Sequence, residues 1–555
     1  MPDLTARKTH SAIQGSLLVA VTLLAYAPIY GGGFVWDDAA HLLDNVVLQE
    51  GGLYRAWLAP DHGVYYPMAS LSYWIDHQLW GLSPKGFHAT NVLIHALSSL
   101  LVWRILLRLG VPGAWLAAML FALHPVNVES AAWITQRKNT LCLFFYAASI
   151  FLYLRGRDGD GPRALTQGAA ITSFLLSMLS KGAGAALPVI LLLLGWFRRG
   201  RIDRKDFFNS LPFFAVAVVM SVLEISFQYG DAIGGGTPRP EGFFSRLAGA
   251  GWVAGFYLVK ALLPVQLSFV YPRWDIDPSD ILAWLPNVGF ALALIIAWRV
   301  RDRIGRGPLT ALLYFLLGLA PVIGFFEFYY MTYSLVGDHY QYIALPGIMA
   351  LVTGGGAYLL GQAKSHGMPP LLGQRLAIAS GTLIAALFFT GTLQRSAIFA
   401  DSETLWLDAI AKNPSGYLPR YNLGLELQQR GEYERAAGQY QALLETYPDS
   451  AEVHNNLGGV MLRLRRADQA RSHFEHVIHF EPDHTEALNN LGNALEQLSR
   501  LDDAVEAYAL AIQTAPDLIA PRLNLARVLQ KLGRTEEAKR ERKNIRRLRA
   551  QSPAG

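Results

Sequence analysis

Two adjacent carboxylates, Asp37 and Asp38, follow the glycine run Gly31-Gly32-Gly33 and the apolar Phe34-Val35-Trp36. Neighbouring side chains diverge, by about 180° on a strand and about 100° on a helix. One can therefore face a cavity while the other caps a helix. A carboxylate beside a pocket can take the proton of a hydroxyl nucleophile, a contribution of about 10²–10⁴ in rate. The competing reading is an Asp N-cap. Further on, His124-Pro125-Val126-Asn127-Val128-Glu129-Ser130 adds an imidazole and a third carboxylate, and Arg137-Lys138 adds two cations. Lys181 and the run Asp338-His339-Tyr340 complete the set. Carboxylates that move a proton, beside cations that hold an anion, suit a phosphate-bearing substrate attacked by a hydroxyl. For Arg137 and Lys138 the alternative is snorkelling at a membrane interface.

Other chemistries are thinly represented. There is no G-x-x-x-x-G-K-[ST], H-E-x-x-H or C-x-x-C. His88 and His95 lie seven apart on one helix face, as metal ligands or as satisfied polar groups of a bundle. The single cysteine, Cys142, sits in an apolar run and reads as inert.

The elements that must position these residues fall into two regimes. Of 555 residues, the first 400 hold 28 Lys/Arg and 21 Asp/Glu, about 12% charged against a soluble norm of about 25%. The last 155 hold 20 and 22, about 27%, the soluble norm. The first part contains apolar runs such as Leu211–Phe227 and Leu376–Thr392, and about 20 such residues span a bilayer. Eleven spans are expected, near 12–30, 87–108, 112–123, 140–154, 164–180, 184–197, 209–228, 281–298, 308–327, 341–360 and 375–394. The segment 112–123 is short, and 251–270, with Lys260 and Pro264, reads as re-entrant or interfacial. Arg7-Lys8 before the first run resembles a signal peptide, but Pro28 after Ala25-Tyr26-Ala27 disfavours cleavage, so an uncleaved anchor is expected. With the N-terminus inside, 18 of the 28 cations fall on the cytoplasmic side, as the positive-inside rule requires. The odd span count then carries the C-terminal part outside. Gly354-Gly355-Gly356 reads as a close helix contact.

The soluble part repeats. Pro414, Pro448, Pro482 and Pro516 are 34 residues apart, and Ala436, Ala470, Ala504 and Ala538 keep the same step. Asn-Leu-Gly recurs at Gly424, Gly458 and Gly492, with Ala526 in the fourth copy. This is the tetratricopeptide pattern: an α-solenoid with a concave binding face. The expected organisation is a membrane domain over 1–400, a connecting helix over 401–413 and the repeats over 414–555. The basic last helix, with Arg534, Lys539, Arg540 and Arg542 among others, reads as a solvated cap. Most cations report membrane orientation, so no nucleic-acid partner is expected despite the net charge of +5.

Taken in order, Phe34-Val35-Trp36-Asp37-Asp38, Tyr66-Pro67, Phe87-His88-Ala89-Thr90-Asn91 with His95, His124 to Ser130, Arg137-Lys138-Asn139, Ser180-Lys181 and Asp338-His339-Tyr340 resemble the transmembrane and tetratricopeptide repeat-containing O-mannosyltransferases. The resemblance covers nearly the whole chain. It implies an all-α, GT-C-type membrane bundle and inverting transfer of a sugar from a polyprenyl-phosphate donor to a protein or glycan hydroxyl. It implies Asp37 or Asp38, with slight preference for Asp38, as the base, and Glu129 as the second-loop acid. It implies Lys138, Lys181 and His339 on the donor phosphate, with His124, Arg137, Asp338 and Tyr340 around the substrate. No cofactor is implied, and a divalent metal is optional. Tyr66 and His339 stand where the family commonly has arginine, which weakens the phosphate site. The compact chain looks bacterial, with an undecaprenyl- or decaprenyl-linked donor in the inner membrane, and with repeats in the periplasm or outside. The rival readings are a membrane-anchored repeat scaffold and a lipid-linked sugar transporter.

Overall fold

The structure, a computed structural model, describes residues 4–43, 48, 54, 57, 65–227, 239–327 and 329–551. Among these residues all regular structure is helical. The chain divides into two compact units, Met1–Lys412 and Asn413–Gly555.

The helices of the first unit are α1 (Leu4–Ala25), α2 (Asp38–Leu43), α3 (Pro67–Trp80), α4 (Pro84–Arg108), α5 (Ala114–Ala122), α6 (Val128–Ala132), α7 (Arg137–Arg157) and α8 (Arg163–Ser180). They continue with α9 (Leu187–Arg199), α10 (Arg204–Phe227), α11 (Phe243–Leu262), α12 (Leu285–Ile304), α13 (Gly307–Leu319), α14 (Leu345–Ser365), α15 (Pro370–Ile398) and α16 (Ser402–Lys412). Each of the eleven expected spans overlaps a helix, but eleven crossings are not shown. Among the described residues, six stretches are long and apolar enough to cross a bilayer: Pro84–Arg108, Ile134–Arg157, Gly182–Arg199, Arg204–Phe227, Ile281–Ile304 and Pro370–Ile398. The unit is a membrane bundle. Its long helices turn apolar side chains outward. α12 buries none of its residues, and Val288, Leu292, Ile295 and Ile296 are more than half exposed, a face built for hydrocarbon.

Three expectations shift. α5 has 9 residues, about 14 Å, too short for a hydrocarbon core of about 30 Å. It starts at the left-handed Gly113 (φ 73°) and stops before His124-Pro125. The segment near 251–270, expected to be re-entrant or interfacial, begins within the regular 20-residue helix α11, which ends before Pro264 and is not among the six stretches. The parity that carries the C-terminal part outside therefore depends on how α5 and α11 are counted. Gly354, Gly355 and Gly356 meet no neighbour within 4 Å of an added Cβ, so they are not a tight crossing. Gly354 and Gly355 instead line an apolar chamber of about 730 Å³ between α4, α7, α13 and α14.

α16, the expected connector, packs into the first unit. Leu405, Trp406 and Ala409 are buried, Trp406 lies 6.2 Å from the Trp36 ring, and Lys412 Nζ donates to the Leu267 carbonyl at 2.6 Å.

The second unit holds four helix pairs: α17 (Tyr417–Gln429) with α18 (Tyr433–Leu444), α19 (Ala451–Arg463) with α20 (Ala467–Phe480), α21 (Thr485–Gln497) with α22 (Leu501–Thr514), and α23 (Ile519–Lys531) with α24 (Thr535–Gln551). The repeated glycine has a steric cause. A Cβ on Gly424, Gly458 or Gly492 would stand 2.6, 2.6 or 2.4 Å from the ring of Tyr440, Phe474 or Tyr508. In the fourth pair the residue 34 positions on from Tyr508 is Arg542, which reaches away to Gln530. With no ring to clear, the small residue there is Ala526.

Candidate active site

The loop after α1 is held by aromatic packing. Trp36 adopts a left-handed backbone (φ 49°), which costs a non-glycine residue about 1–3 kcal/mol. Its ring is caged by Trp133 at 5.1 Å, Phe269 at 5.5 Å and Trp406 at 6.2 Å. His88 Nε2 lies 3.2 Å from the Gly33 carbonyl. This reversal sends the next two carboxylates to different places.

Asp37 Oδ1 accepts from Trp133 Nε1 at 2.9 Å and from Thr135 Oγ1 at 2.8 Å. Its Oδ2 is 3.5 Å from His41 Nε2, and the side chain is 25% exposed. Burial alone would raise its pKa. The hydrogen bond and charge of His41, the charge of Lys138 and the Thr135 bond outweigh it and hold the carboxyl below its ordinary value. Asp38 is fully buried. One oxygen accepts from the Val35 amide at 3.0 Å, the other from the Thr135 amide at 2.8 Å. Burial, then the charge of Asp37, push its pKa up to about 7. Asp37 thus keeps an accessible ionised carboxylate, whereas Asp38 ties the first loop to residue 135.

The second cluster gathers from three segments. Glu129 on α6 hydrogen-bonds His339 Nδ1. Burial, then the charge of Asp338, raise the Glu129 pKa well above its ordinary value. Burial, then Lys181 and Lys138, push His339 well below its own. Both shifts favour the uncharged form of each partner. Asp338 accepts from Tyr271 Oη at 2.8 Å, and burial raises its pKa to about 6. The Tyr340 ring lies 4.0 Å from that of His339 and 5.4 Å from Lys181 Nζ. Burial, then Lys138, lower the Lys181 pKa to about 7. Lys138 Nζ sits 5.5 Å over the Tyr66 ring. Trp133 joins the clusters: its indole N–H donates to Asp37, and its ring lies 5.9 Å from His339. A cavity of about 20 Å³ is lined by His41, Tyr66, Thr135 and Lys138 beside Asp37, the space of about one water.

Two expected substrate contacts are structural. Arg137 is fully buried. Its Nε donates to Asn91 Oδ1 at 2.6 Å, one Nη binds Asp76 and the other donates to the Phe87 carbonyl at 2.7 Å. It neither snorkels nor faces a cavity. It clamps α3 and α4 to α7. His124 is also fully buried. Its Nδ1 accepts from the Val126 amide at 3.3 Å, its Nε2 meets the Ala261 carbonyl at 3.0 Å, and its ring abuts Phe388 at 4.5 Å. It caps the turn before α6. His95 is satisfied by Tyr342 Oη at 2.6 Å and the Ala122 carbonyl at 3.0 Å and serves as a bundle polar group, whereas His88 meets the Gly33 carbonyl through Nε2 and leaves Nδ1 without a hydrogen-bond partner. Among the described residues no three His, Cys, Asp or Glu side chains are placed to hold a metal ion.

Sequence reasoning missed Glu224 on α10. Its carboxylate lies against Gly182, near Tyr66, and faces Lys181 and Lys138. A Cβ on Gly182 would stand 1.5 Å from Glu224 Oε2. The available signal was a lone acid in the apolar run Leu211–Phe227, since intramembrane ionisable residues are costly and commonly functional.

The fold and site define a class: a polytopic helical membrane protein with an acid- and lysine-lined cluster in its loops and a tetratricopeptide solenoid. A tetratricopeptide-repeat family model matches residues 421–479 and 462–519. Over most of its length the chain is similar to protein O-mannosyl-transferases. It is 22% identical over 437 residues to one from Caenorhabditis elegans, and 22% over 513 residues and 23% over 507 residues to TMTC3 and TMTC1 of Homo sapiens. These alignments take in 75%, 82% and 80% of this chain but only 60%, 53% and 56% of the relatives. The family that the chain resembles is thus the transmembrane and tetratricopeptide repeat-containing O-mannosyltransferases. Among solved structures, MamA from Desulfovibrio magneticus RS-1 matches at 21% identity with a TM-score of 0.27, covering 27% of this chain and 86% of that one.

Proposed function

We propose that the protein is a membrane glycosyltransferase of the GT-C type, moving a sugar from a polyprenyl-phosphate donor to a hydroxyl of a protein on the outer face of the membrane. One observation carries the reading. Asp37 is ionised, aimed by Trp133 and Thr135, partly exposed, and adjacent to a lysine-lined cavity. In this reading Asp37 takes the acceptor O–H proton. The oxygen attacks the sugar C1, and the C1–O bond to the phosphate breaks with inversion. Polyprenyl phosphate leaves with the bonding electrons, its negative charge met by Lys138 and Lys181 through charge-assisted hydrogen bonds. The Glu129–His339 pair sets the ring of His339 against Trp133 and so holds the indole that orients Asp37. Tyr66, where relatives of this type commonly carry arginine, acts beside Glu224 rather than through a charge. The donor side is the outer leaflet of a bacterial inner membrane, and the repeats lie in the periplasm or outside, where they present the acceptor.

The test is release of polyprenyl phosphate from a polyprenyl-phosphate mannose by purified full-length protein in lipid nanodiscs, with and without a hydroxyl-bearing peptide. Peptide-dependent release is expected. Absence of turnover with any lipid-linked sugar would contradict the reading and favour a repeat scaffold.

A further inference from the structure

The membrane unit holds a second cavity that the transfer chemistry does not use. The apolar chamber of about 730 Å³ lies between α4, α7, α13 and α14. On α4 it begins at Val102, about 20 Å along the helix from His88, so it stands apart from the Asp37 and Glu129 clusters. On α14 its lining runs from Pro346 to Leu359, about 20 Å, longer than one leaflet of a hydrocarbon core of about 30 Å. Gly354 and Gly355 present bare backbone to it, and a Cβ on either would meet nothing within 4 Å. The volume is that of a single-ligand site, and the length suits an extended alkyl chain.

One end of the chamber is rimmed by residues 110–112, between α4 and α5, and by Ile304, Gly307 and Pro308, between α12 and α13. Both turns fall on the side that the cation count assigns to the cytoplasm. Arg306 stands in the second turn. Its Nη1 donates to the carbonyl of Phe197, itself a lining residue, at 3.3 Å, and it has no carboxylate partner among the described residues. A guanidinium carries five N–H donors, so most of its hydrogen-bonding capacity stays open. Arg303 is exposed and likewise has no ion pair among the described residues. By contrast, Arg108 and Arg198 are already bridged to Asp158, at 2.9 Å and 2.6 Å. About one turn deeper on α13, Thr310 lines the chamber with a buried hydroxyl that has no hydrogen-bond partner. From rim to interior the order is cation, hydroxyl, apolar wall. A phospholipid has the matching order of phosphate, ester and acyl chain.

We propose that this chamber holds an acyl chain of one anionic phospholipid from the cytoplasmic leaflet. Arg306 and Arg303 take its headgroup phosphate, Thr310 donates to an ester carbonyl, and the apolar walls take the chain. Basic pockets between membrane helices on the cytoplasmic side recognise anionic headgroups in this way. The lipid fills a space that the helices leave and braces α13 and α14 against α4 and α7. The inference rests on this half of the bundle alone and stands whatever the membrane unit transfers.

The test is native mass spectrometry of purified full-length protein in detergent, titrated with long-chain phosphatidylglycerol or long-chain phosphatidylcholine. One phosphatidylglycerol is expected to stay on each chain, held at least about fivefold tighter than phosphatidylcholine. Short-chain phosphatidylglycerol is expected to be lost, since the affinity comes from methylenes buried in the chamber. Gly354→Leu with Gly355→Leu, which fills the chamber, is expected to weaken retention at least about tenfold while lipid-free thermal unfolding stays the same or rises. Arg303→Gln with Arg306→Gln is expected to abolish the preference for phosphatidylglycerol while leaving lipid-free unfolding unchanged, and it tests the proposal whether or not the filled variant folds. Equal retention of the two long-chain lipids, an unaltered preference in the rim variant, parent-like retention in a folded filled variant, or displacement of the lipid by equimolar undecaprenyl phosphate would overturn the proposal.

Discussion

Asp37 and Asp38 are neighbours with opposite pKa shifts: His41 and then Lys138 outweigh burial and lower Asp37, whereas burial and then the charge of Asp37 raise Asp38. Thr135 gives its hydroxyl to Asp37 and its amide to Asp38. The pairing spans almost a hundred residues, so the acidic doublet was visible in the chain but the division of labour was not. Arg137 was misread for the same reason: its partners Asp76, Asn91 and Phe87 come from α3 and α4. Arg137→Ala is expected to cost about 3–5 kcal/mol by stranding a buried carboxylate. It should appear as lost thermal stability, whereas a substrate contact would instead raise KM in a protein of parent stability. Lys181 supplies a pH signature. Its folded pKa near 7 means that it is charged below pH 7 and neutral above. A phosphate-binding ammonium is then lost as pH rises, so kcat/KM for the donor should fall through about pH 7. Asp37, held below its ordinary value, should impose no acidic limb above about pH 4. In Lys181→Arg the alkaline fall should vanish, since guanidinium stays charged. An unchanged profile would remove Lys181 from the donor site.

Elements differ in how far local sequence determines them. The repeats were legible because each marker has a local cause: proline between pairs, and glycine where a ring crosses. Gly458→Ala drives a methyl into Phe474 and should destabilise the solenoid by about 1–3 kcal/mol. Gly459→Ala, one residue on, mid-helix and facing open space, should leave the solenoid as stable or more stable by up to about 1 kcal/mol. Equal effects would contradict the steric account. The membrane helices were legible in position but not in role. α5 is the more apolar of the two yet has 9 residues where α11, with Arg246 and Lys260, has 20, because Gly113 and Pro125 bracket the first while the second runs on to Pro264. The glycine triplet of α14 failed as a packing signal because no helix faces it within 4 Å. Small residues permit a close crossing but do not supply a partner.

At the scale of the whole molecule, the split between a weakly charged helical unit and a charge-rich repeat unit was plain from composition. Sidedness rests on the distribution of cations. Impermeant maleimide should label Ser279→Cys and Asp468→Cys in intact cells but reach Lys205→Cys only after permeabilisation, with the buried Cys142 silent throughout. Labelling of Lys205→Cys alone in intact cells would invert the topology. The central claim is that an ionised Asp37 drives sugar transfer while Asp38 holds the loop. It is tested most directly by measuring donor turnover of Asp37→Asn and Asp38→Asn side by side. Asp37→Asn should lower kcat by about 10²–10⁴, the reach of a general base. Asp38→Asn should lower thermal stability and retain far more of the parent kcat. Parent-like turnover by Asp37→Asn would contradict the account.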